Sequence, residues 1–509
     1  MSVEKTKGCV YLVGAGPGAL DLITLRARDL VRQADVLIHD HLSNPEMLQW
    51  AHPGAEILCA GKSGTTHILP QDEINALLIK HAGEGKTVVR LKGGDPYIFG
   101  RGSEEAQALV RAGIPFEVVP GVTSAIAAPA YAGIPMTHRD LASTVTFVTG
   151  HEDPDKGESA IDWKSLAGLR GTKVFLMGVK RLREIAQRLT AEGAAPETSV
   201  ALVRWGTTGR QQSMEGTLAT IADLVDQRGF AAPAVVVVGE VVKLRSELNW
   251  FEALPLFGRR IVVTRARNQA SELTRKLERL GADVLEIPTI RIIPRELPAE
   301  QSEALVDFQA HYEWVVFTSP NAVSWFLSDF SRGLKDIRTL GSVKIAAVGP
   351  GTQNALTKFH LRVDLMPEKF TSADLARKFS GIDVSKLRFC LPCGDLADPL
   401  LGASLRERGA IVDEWTVYET RPETEDVTGA RARYLEESAH WITFASSSAV
   451  ENWHALQLQP ATGAPQPKAL SMGPVTSATL RKLGYEIAAE SPASTLDSLV
   501  ETICRLSID

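Results

Sequence analysis

The stretch CVYLVGAGPGALDL, residues 9–22, decides how the first half of the chain is read. A short apolar run meets Gly14, Gly16 and Gly18, and a helical pattern follows. Dinucleotide-binding loops need G-x-G-x-x-G, where each glycine serves a tight turn, a close backbone approach or helix packing. Here the spacing is G-x-G-x-G, Ala19 stands where the third glycine belongs, and Pro17 sits inside the loop. Pro17 lacks a backbone N–H and has a fixed φ, which suits a phosphate cradle poorly. A ribose-binding carboxylate about 20 residues on has two candidates, Asp35 and Asp40, and decides nothing. A nicotinamide or flavin site is therefore not expected here.

The 509 residues carry a net charge of −6, which argues against a general nucleic-acid binder. A polyanionic ligand would have to meet a local basic cluster. The five cysteines are an odd count in a long chain, which suits a reducing compartment better than a disulfide scaffold. The pair in CLPC, Cys390 and Cys393, has no second pair of metal ligands beside it, so no redox or metal role is expected. The opening MSVEKTKG lacks an apolar signal core, and no apolar run is long enough to cross a membrane. A cytoplasmic protein with no membrane partner is expected.

The first half alternates strand and helix signals. VYLV, ADVLI, AEILC, TVVRL, FEVV, TVTFVT, KVFLM, SVALVR and PAVVVVG read as strands. PQDEINALLIKHA, with Pro70 near its start, and SEEAQALVRAG read as helices, the second with Ser103 as N-cap and Gly113 as its end. Such alternation predicts an α/β fold with much parallel sheet. The pattern breaks at NWFEALPLFGRR, residues 249–260, and a module boundary is expected near Leu254.

The second half contains an internal repeat. WVVFTSPNAVSWF from Trp314 matches WITFASSSAVENW from Trp441, and KIAAVGPGTQNAL from Lys344 matches KALSMGPVTSATL from Lys468. The separations within the two copies, 30 and 27 residues, nearly agree. The openings also match, RIVVTRARNQASELTRKLERLGADV against RFCLPCGDLADPLLGASLRERGAIV. Two similar α/β domains of roughly 120 residues each are expected. Their strands end in Ser/Thr/Gly loops, which suggests a ligand cleft between them.

Further motifs follow the first glycine loop in order. They are VVRLKGGDPYIFGRG from Val88, VVPGVTSAIAAPAYAGIPMTHR from Val118, VTGH, KVFLMGV, ALVRWGTTGRQ and PAVVVVGEVV. Together they resemble the tetrapyrrole methylase family over nearly all of residues 8–250, and within it the uroporphyrinogen-III C-methyltransferases. The resemblance implies two α/β sub-domains, about 1–120 and 121–250, with S-adenosylmethionine folded between them. It places cofactor contacts on Pro17, Gly93, Gly94, Asp95, Ile98, Thr123, Ser124, Met177 and Gly206. Glycines let the backbone come close, so amides and carbonyls can pair with the ligand. Asp95 has the charge to balance a cationic cofactor. The family pattern puts a proton acceptor at Asp40, in LIHDHL, and a donor at Lys62, in CAGKSG. The substrate carries eight carboxylates, so Arg90, Lys92, Arg101, Arg139 and Arg204 are candidate partners. A homodimer through this half is a family expectation.

Residues 258–506 resemble the uroporphyrinogen-III synthase family through VVFTSPNAV, VGPGT, WTVYETRP and SPASTLDSLVETI. The resemblance implies residues 251–257 as a linker and a discontinuous first sub-domain, about 258–290 plus 421–509. The second sub-domain would then cover about 291–420. It also implies ring closure of hydroxymethylbilane with no metal or organic cofactor. Tyr418 stands where the family carries a tyrosine that assists hydroxide departure. Thr318, Ser319, Thr352, Ser446, Ser447 and Thr476 fall at strand-to-helix loops, where hydroxyls and helix amides can hold carboxylates or simply cap helices. Arg265 is a further candidate at the cleft mouth. CLPCGDLAD departs from the family's glycine- and arginine-containing turn. The combined reading is a bifunctional enzyme that makes uroporphyrinogen III and methylates it twice. The alternative is a methyltransferase carrying a tetrapyrrole-binding module.

Overall fold

The computed structural model describes residues 8–61, 69–151, 160–264, 267–331 and 336–508. Four five-stranded sheets account for the strands. The first holds β1 (Val10–Gly14), β2 (Val36–His39), β3 (Glu56–Cys59), β4 (Val88–Lys92) and β5 (Phe116–Val119). Their order is β3-β2-β4-β1-β5, and every pair is parallel. Parallel strands buried on both faces read as continuous apolar runs, as the central β1 and β2 do. Alternate residues serve opposite faces. Val10, Leu12, Val36 and Ile38 pack on Ile74 and Leu78 of the helix Gln71–Gly83, while Val13, Leu37, Val89 and Leu91 pack on Ala27, Leu30 and Val31 of the helix Leu25–Gln33.

The second sheet holds β6 (Val145–Thr149), β7 (Thr172–Leu176), β8 (Ser199–Arg204), β9 (Gln212–Thr217) and β10 (Ala234–Val238) in the order β6-β7-β10-β8-β9. Only β6 and β7 pair in parallel; β10 runs antiparallel to β7 and β8, and β9 runs antiparallel to β8. The parallel sheet expected from the alternation therefore covers only part of this half. All nine expected strands form, and β9 is an addition. Its sequence QSMEGT is polar because it lies at a sheet edge. The helix Gly102–Ala112 starts two residues earlier than a Ser103 cap predicts. Arg101, at φ 60, holds the N-cap position, and Ser103 lies within the first turn. Gly113 ends it in the left-handed region as expected.

The second half forms two sheets. One holds β11 (Arg260–Val263), β12 (Asp283–Glu286), β18 (Trp441–Phe444), β19 (Lys468–Ser471) and β20 (Ile487–Glu490), all parallel, in the order β12-β11-β18-β19-β20. The other holds β13 (Ile290–Pro294), β14 (Trp314–Phe317), β15 (Lys344–Ala347), β16 (Arg388–Gly394) and β17 (Ile411–Pro422), in the order β13-β17-β16-β14-β15. The internal repeat is realised as matching strand order. β12-β11-β18-β19 corresponds to β17-β16-β14-β15, and the parallel bridge of Ala346 to Leu365 stands where β20 extends the first copy. Only β13, antiparallel on β17, lacks a counterpart.

The described residues divide into two compact units. One runs to Thr264 and adds Gln269–Ile287 and the segment from Glu425 onward; the other holds Pro288–Thr424. In the first unit, residues 250–257 are packed: Phe251 lies edge-on to Tyr131 and Phe257, with ring centroids 4.8 and 5.6 Å away. Leu256 is fully buried with Leu273, Leu277 and Ala282. Nearby, burial first and then the carboxylates of Glu286, Asp21 and Asp283 raise the Glu278 carboxyl to about 7, against the opposing pull of Arg275. Glu46 is pushed well up by burial and by Glu278, Glu286 and Asp283. A carboxyl raised on folding binds its proton more tightly in the folded chain, so stability falls as pH rises from about 4.5 to 7. Glu278→Gln is expected to raise the melting temperature at pH 8 by about 2–4 °C or more and to leave it unchanged near pH 4. Thermal unfolding across pH measures this, and parallel profiles for the two proteins would contradict it.

Candidate active site

Open α/β sheets present their ligand sites beyond the carboxyl ends of their strands. Three loops of the first sheet meet there. The loop after β1 pairs with the turn after β4 through an antiparallel bridge: Gly16 N–H donates to Gly94 O (3.1 Å) and Gly94 N–H to Gly16 O (2.8 Å). Gly94 has φ +68, a conformation that favours glycine. The turn after β4 is then closed by Asp95. Its Oδ1 accepts from the backbone of Tyr97 (2.8 Å) and Ile98 (3.1 Å), and its Oδ2 accepts from Gly121 N–H (3.0 Å). Asp95 therefore ties the β4 turn to the β5 loop, with backbone partners on both carboxylate oxygens. Thr123 caps the helix Ser124–Tyr131, accepting from Ala125 N–H at 3.3 Å.

A fourth loop comes from the second sheet. Thr207, after β8, accepts a hydrogen bond from Ala19 N–H at 3.1 Å. Gly206 packs so closely on Ala128 that a Cβ there would lie 2.4 Å from the alanine methyl. Pro17, Gly93, Gly94, Asp95, Thr123, Ser124 and Gly206 are thus brought together from distant parts of the chain. Ile98 stands exposed on the same β4 turn. Met177 follows β7, on a separate loop, half-exposed and at φ 59. Non-glycine residues in the left-handed region are uncommon, and Phe99, Arg101, Met177, Trp205 and Thr207 all occupy it on these loops.

Asp40 directly follows β2 at the same sheet edge. Arg90 donates to its Oδ1 at 2.5 Å, and about a third of the Asp40 side chain is exposed. Arg90 is buried, and its Nε donates to Glu105 Oε1 at 3.1 Å. Lys92, also buried, donates to the same oxygen at 2.9 Å. Burial lowers the Lys92 ammonium pKa, and the charge of Arg90 adds to this. Arg90 and Lys92, candidate ligand cations in the sequence, are instead spent on an internal network that fixes Asp40. Lys62 lies outside the described residues, but Gly61 beside it abuts His41, and Ala60 N–H donates to His39 O at 2.9 Å. Arg101 pairs with Glu104 at 2.6 Å, Arg139 is exposed, and Arg204 stacks on Trp205 at 3.6 Å.

In the second unit, Tyr418 on β17 lies 3.2 Å, hydroxyl to hydroxyl, from Ser319. Ser319 caps the following helix by accepting from Ala322 N–H at 3.1 Å. A Cβ on Gly394 would lie 2.5 Å from the Tyr418 ring, so CLPCG needs its glycine for the tyrosine to seat. Burial raises the Tyr418 phenol pKa, and the Ser319 contact opposes this. The phenol is accordingly protonated at neutral pH. Thr318 is half-buried beside Ser319, and Thr352 is buried near the start of the helix Pro350–Thr357. In the first unit, Ser446 caps the helix Ser447–Ala455 through Ala449 N–H (3.2 Å), and Ser447 Oγ donates to Val475 O (3.3 Å) beside the buried Thr476. Arg265 lies outside the described residues. Cys390 and Cys393 lie on β16 as free thiols, and burial raises Cys393 to about 11.

Thr207, Glu105 and the Arg90–Asp40 contact escaped the sequence reading. No local pattern marks Thr207. The strand period places Arg90 within a sheet but does not show which helix supplies its counter-charge.

The architecture is that of a methylase module followed by a synthase module. Residues 9–222 match the family model of tetrapyrrole (corrin/porphyrin) methylases, and residues 271–501 match that of uroporphyrinogen-III synthase HemD. The porphyrin biosynthesis protein HemD of Ruminiclostridium josui is 35% identical over 506 residues, covering 98% of each chain. The uroporphyrinogen-III C-methyltransferase of Bacillus subtilis is 42% identical over 351 residues, 69% of this chain and 71% of that one. The S-adenosyl-L-methionine-dependent uroporphyrinogen III methyltransferase of Methanosarcina barkeri is 54% identical over 242 residues, 48% of this chain and 95% of that one. The chain belongs to the family in which a tetrapyrrole methylase is fused to a HemD-type uroporphyrinogen-III synthase, and it is a tetrapyrrole biosynthesis enzyme. No helix among the described residues is long and apolar enough to cross a membrane.

Removing the counter-charge inside the first sheet tests its role. Glu105→Gln leaves Lys92 without a buried anion and is expected to cost about 3–5 kcal/mol in denaturant unfolding. A loss below about 1 kcal/mol would show that the network contributes little.

Proposed function

We propose that the second half closes hydroxymethylbilane to uroporphyrinogen III. The first half then methylates that product at C2 and C7 with S-adenosylmethionine, giving precorrin-2 for sirohaem or cobalamin synthesis. The observation that carries the reading is the convergence of the loops bearing Pro17, Gly94, Thr123 and Gly206 beyond the carboxyl edge of the first sheet, where Asp40 N–H also donates to Leu91 O of β4 at 3.1 Å. The residues fit this cofactor. Gly93 and Gly94 present backbone without side chains, and exposed Ile98 and Met177 offer apolar contact to the adenosyl and methionyl parts. Bound there, S-adenosylmethionine supplies an electrophilic methyl carbon on a sulfonium.

Asp40 accepts the proton that the methylated macrocycle must lose. Arg90 fixes one of its oxygens and leaves the other to act. Lys62, the proposed proton donor, follows Gly61 in the sequence. In the second half, Tyr418 donates its proton to the departing hydroxyl, and burial keeps the phenol protonated for that step. The hydroxyls of Thr318, Ser319, Thr352, Ser446 and Thr476, each near the start of a helix, hold substrate carboxylates with the helix N-terminal amides. Association of two copies through the first half belongs to the same proposal.

Incubation of the purified chain with hydroxymethylbilane and S-adenosylmethionine tests the assignment. A dimethylated type III product is expected, and the absence of any such product would overturn it. Asp40→Asn is expected to slow methyl transfer by about 10²–10⁴-fold while type III formation continues. Tyr418→Phe is expected to slow type III formation by about 10²-fold while methylation of supplied uroporphyrinogen III is unchanged.

A further inference from the structure

One turn of the first half, Trp205–Gln211, has different neighbours at its two ends. At one end Gly206 seats on Ala128, and Thr207 holds Ala19 N–H at 3.1 Å, directly beside the Pro17–Gly18 loop. A Cβ on Gly18 would meet the Thr208 methyl at 3.0 Å, so the two loops touch along their length. At the other end the turn meets the synthase half. A Cβ on Gly209 would lie 2.2 Å from the carbonyl carbon of Ala282, immediately before β12. The Arg210 guanidinium lies 3.8 Å from Glu437, on the helix Ala430–Glu437.

Glu437 is itself fixed. It pairs with Arg260 at 2.6 Å and with Arg433 at 3.0 Å, and both arginines also bond Asp283. Between its ends the turn is rigid. Arg204 and Arg210 sandwich the Trp205 ring at 3.6 and 3.7 Å, Thr207 N–H donates to Gln211 Oε1 (3.0 Å), and Gln211 Nε2 donates to Glu252 (2.9 Å). Trp205 and Thr207 have φ 49 and 73, conformations that persist only where surrounding contacts impose them. A displacement at Gly209 is therefore carried to Gly206 and Thr207.

We infer that the synthase half is a positioning element for methyl transfer: through Ala282 and Glu437 it holds the Trp205–Gln211 turn, and with it the Pro17–Ala19 loop, in the shape that binds the methyl donor. Gly209, Arg210 and Glu437 are then positioning residues on a contact that touches neither reaction. The inference rests on the reading of the Pro17–Ala19 loop as part of the donor site. It makes methyl-donor binding depend on the synthase half without any transfer of intermediates between the halves.

The test uses the full chain. Affinity for S-adenosylhomocysteine is measured by calorimetry, and steady-state methylation and type III formation are measured in parallel, for wild type, Gly209→Ala, Arg210→Ala, Arg210→Lys and Glu437→Gln. The Kd for S-adenosylhomocysteine and the KM for S-adenosylmethionine are expected to rise about five-fold or more in Gly209→Ala and Arg210→Ala. Methylation kcat and the type III rate should stay within about two-fold of wild type, and Arg210→Lys should recover part of the affinity. The double variant Arg210→Ala with Glu437→Gln should lose less than the product of the single losses, as for residues in contact. A lost type III rate would mark a misfolded variant, for which Arg210→Lys decides. Unchanged affinity in Gly209→Ala and Arg210→Ala, with wild type binding normally, would overturn the inference. A wild-type chain that binds no S-adenosylhomocysteine would overturn the donor-site reading itself.

Discussion

Three backbones cross without side chains at the heart of the first half, and its site depends on that crossing. A Cβ on Gly14 would lie 2.5 Å from Gly121 Cα and 2.7 Å from Gly94 O; one on Gly121 would lie 2.2 Å from Gly94 O. No side chain fits at either position. The crossing lets the β1, β4 and β5 loops share one sheet edge, and Asp95 then fixes the spacing by accepting from two amides of its own β4 turn and from Gly121 N–H of the β5 loop. The glycines are needed because the backbones meet, which differs from the pyrophosphate-binding role that a G-x-G loop first suggests.

Charge is used inside this half as scaffolding. Glu105 pairs with both Arg90 and Lys92 in a buried site, and Arg90 reaches on to Asp40, which supplies the second negative charge. A carboxylate held by a guanidinium keeps one geometry, which matters more for proton transfer than the mere presence of a base. In the second half the half-buried Tyr418 phenol meets the Ser319 hydroxyl at a helix start, with Gly394 leaving room for the ring.

Much of the fold was legible in the sequence because strand burial leaves long apolar runs. VYLV, ADVLI and AVVVV form strands as read, and the WVVF/WITF repeat became two sheets with the same strand order. Direction was not legible. AVVVV looks the same whether its neighbours run with it or against it, so the antiparallel placement of β10 went unread. The edge strand QSMEGT carries no apolar signal, and Arg101 displaced Ser103 as the cap because the β4 turn folds onto Pro96. Among the proposed site residues, the glycines and Tyr418 were marked by resemblance alone. The internal use of Arg90 and Lys92 was not, since Glu105 meets them only in three dimensions.

The central claim is that the Gly14–Gly94–Gly121 crossing shapes a site for S-adenosylmethionine. The most direct measurement is equilibrium binding of S-adenosylhomocysteine to the wild-type chain and to Gly121→Ala, with circular dichroism and the rate of type III formation as controls for folding. One molecule bound per wild-type chain is predicted, with affinity lost by at least about 10-fold in Gly121→Ala while the type III rate is retained. Equal affinity in the two proteins, or no binding to either, would contradict the account.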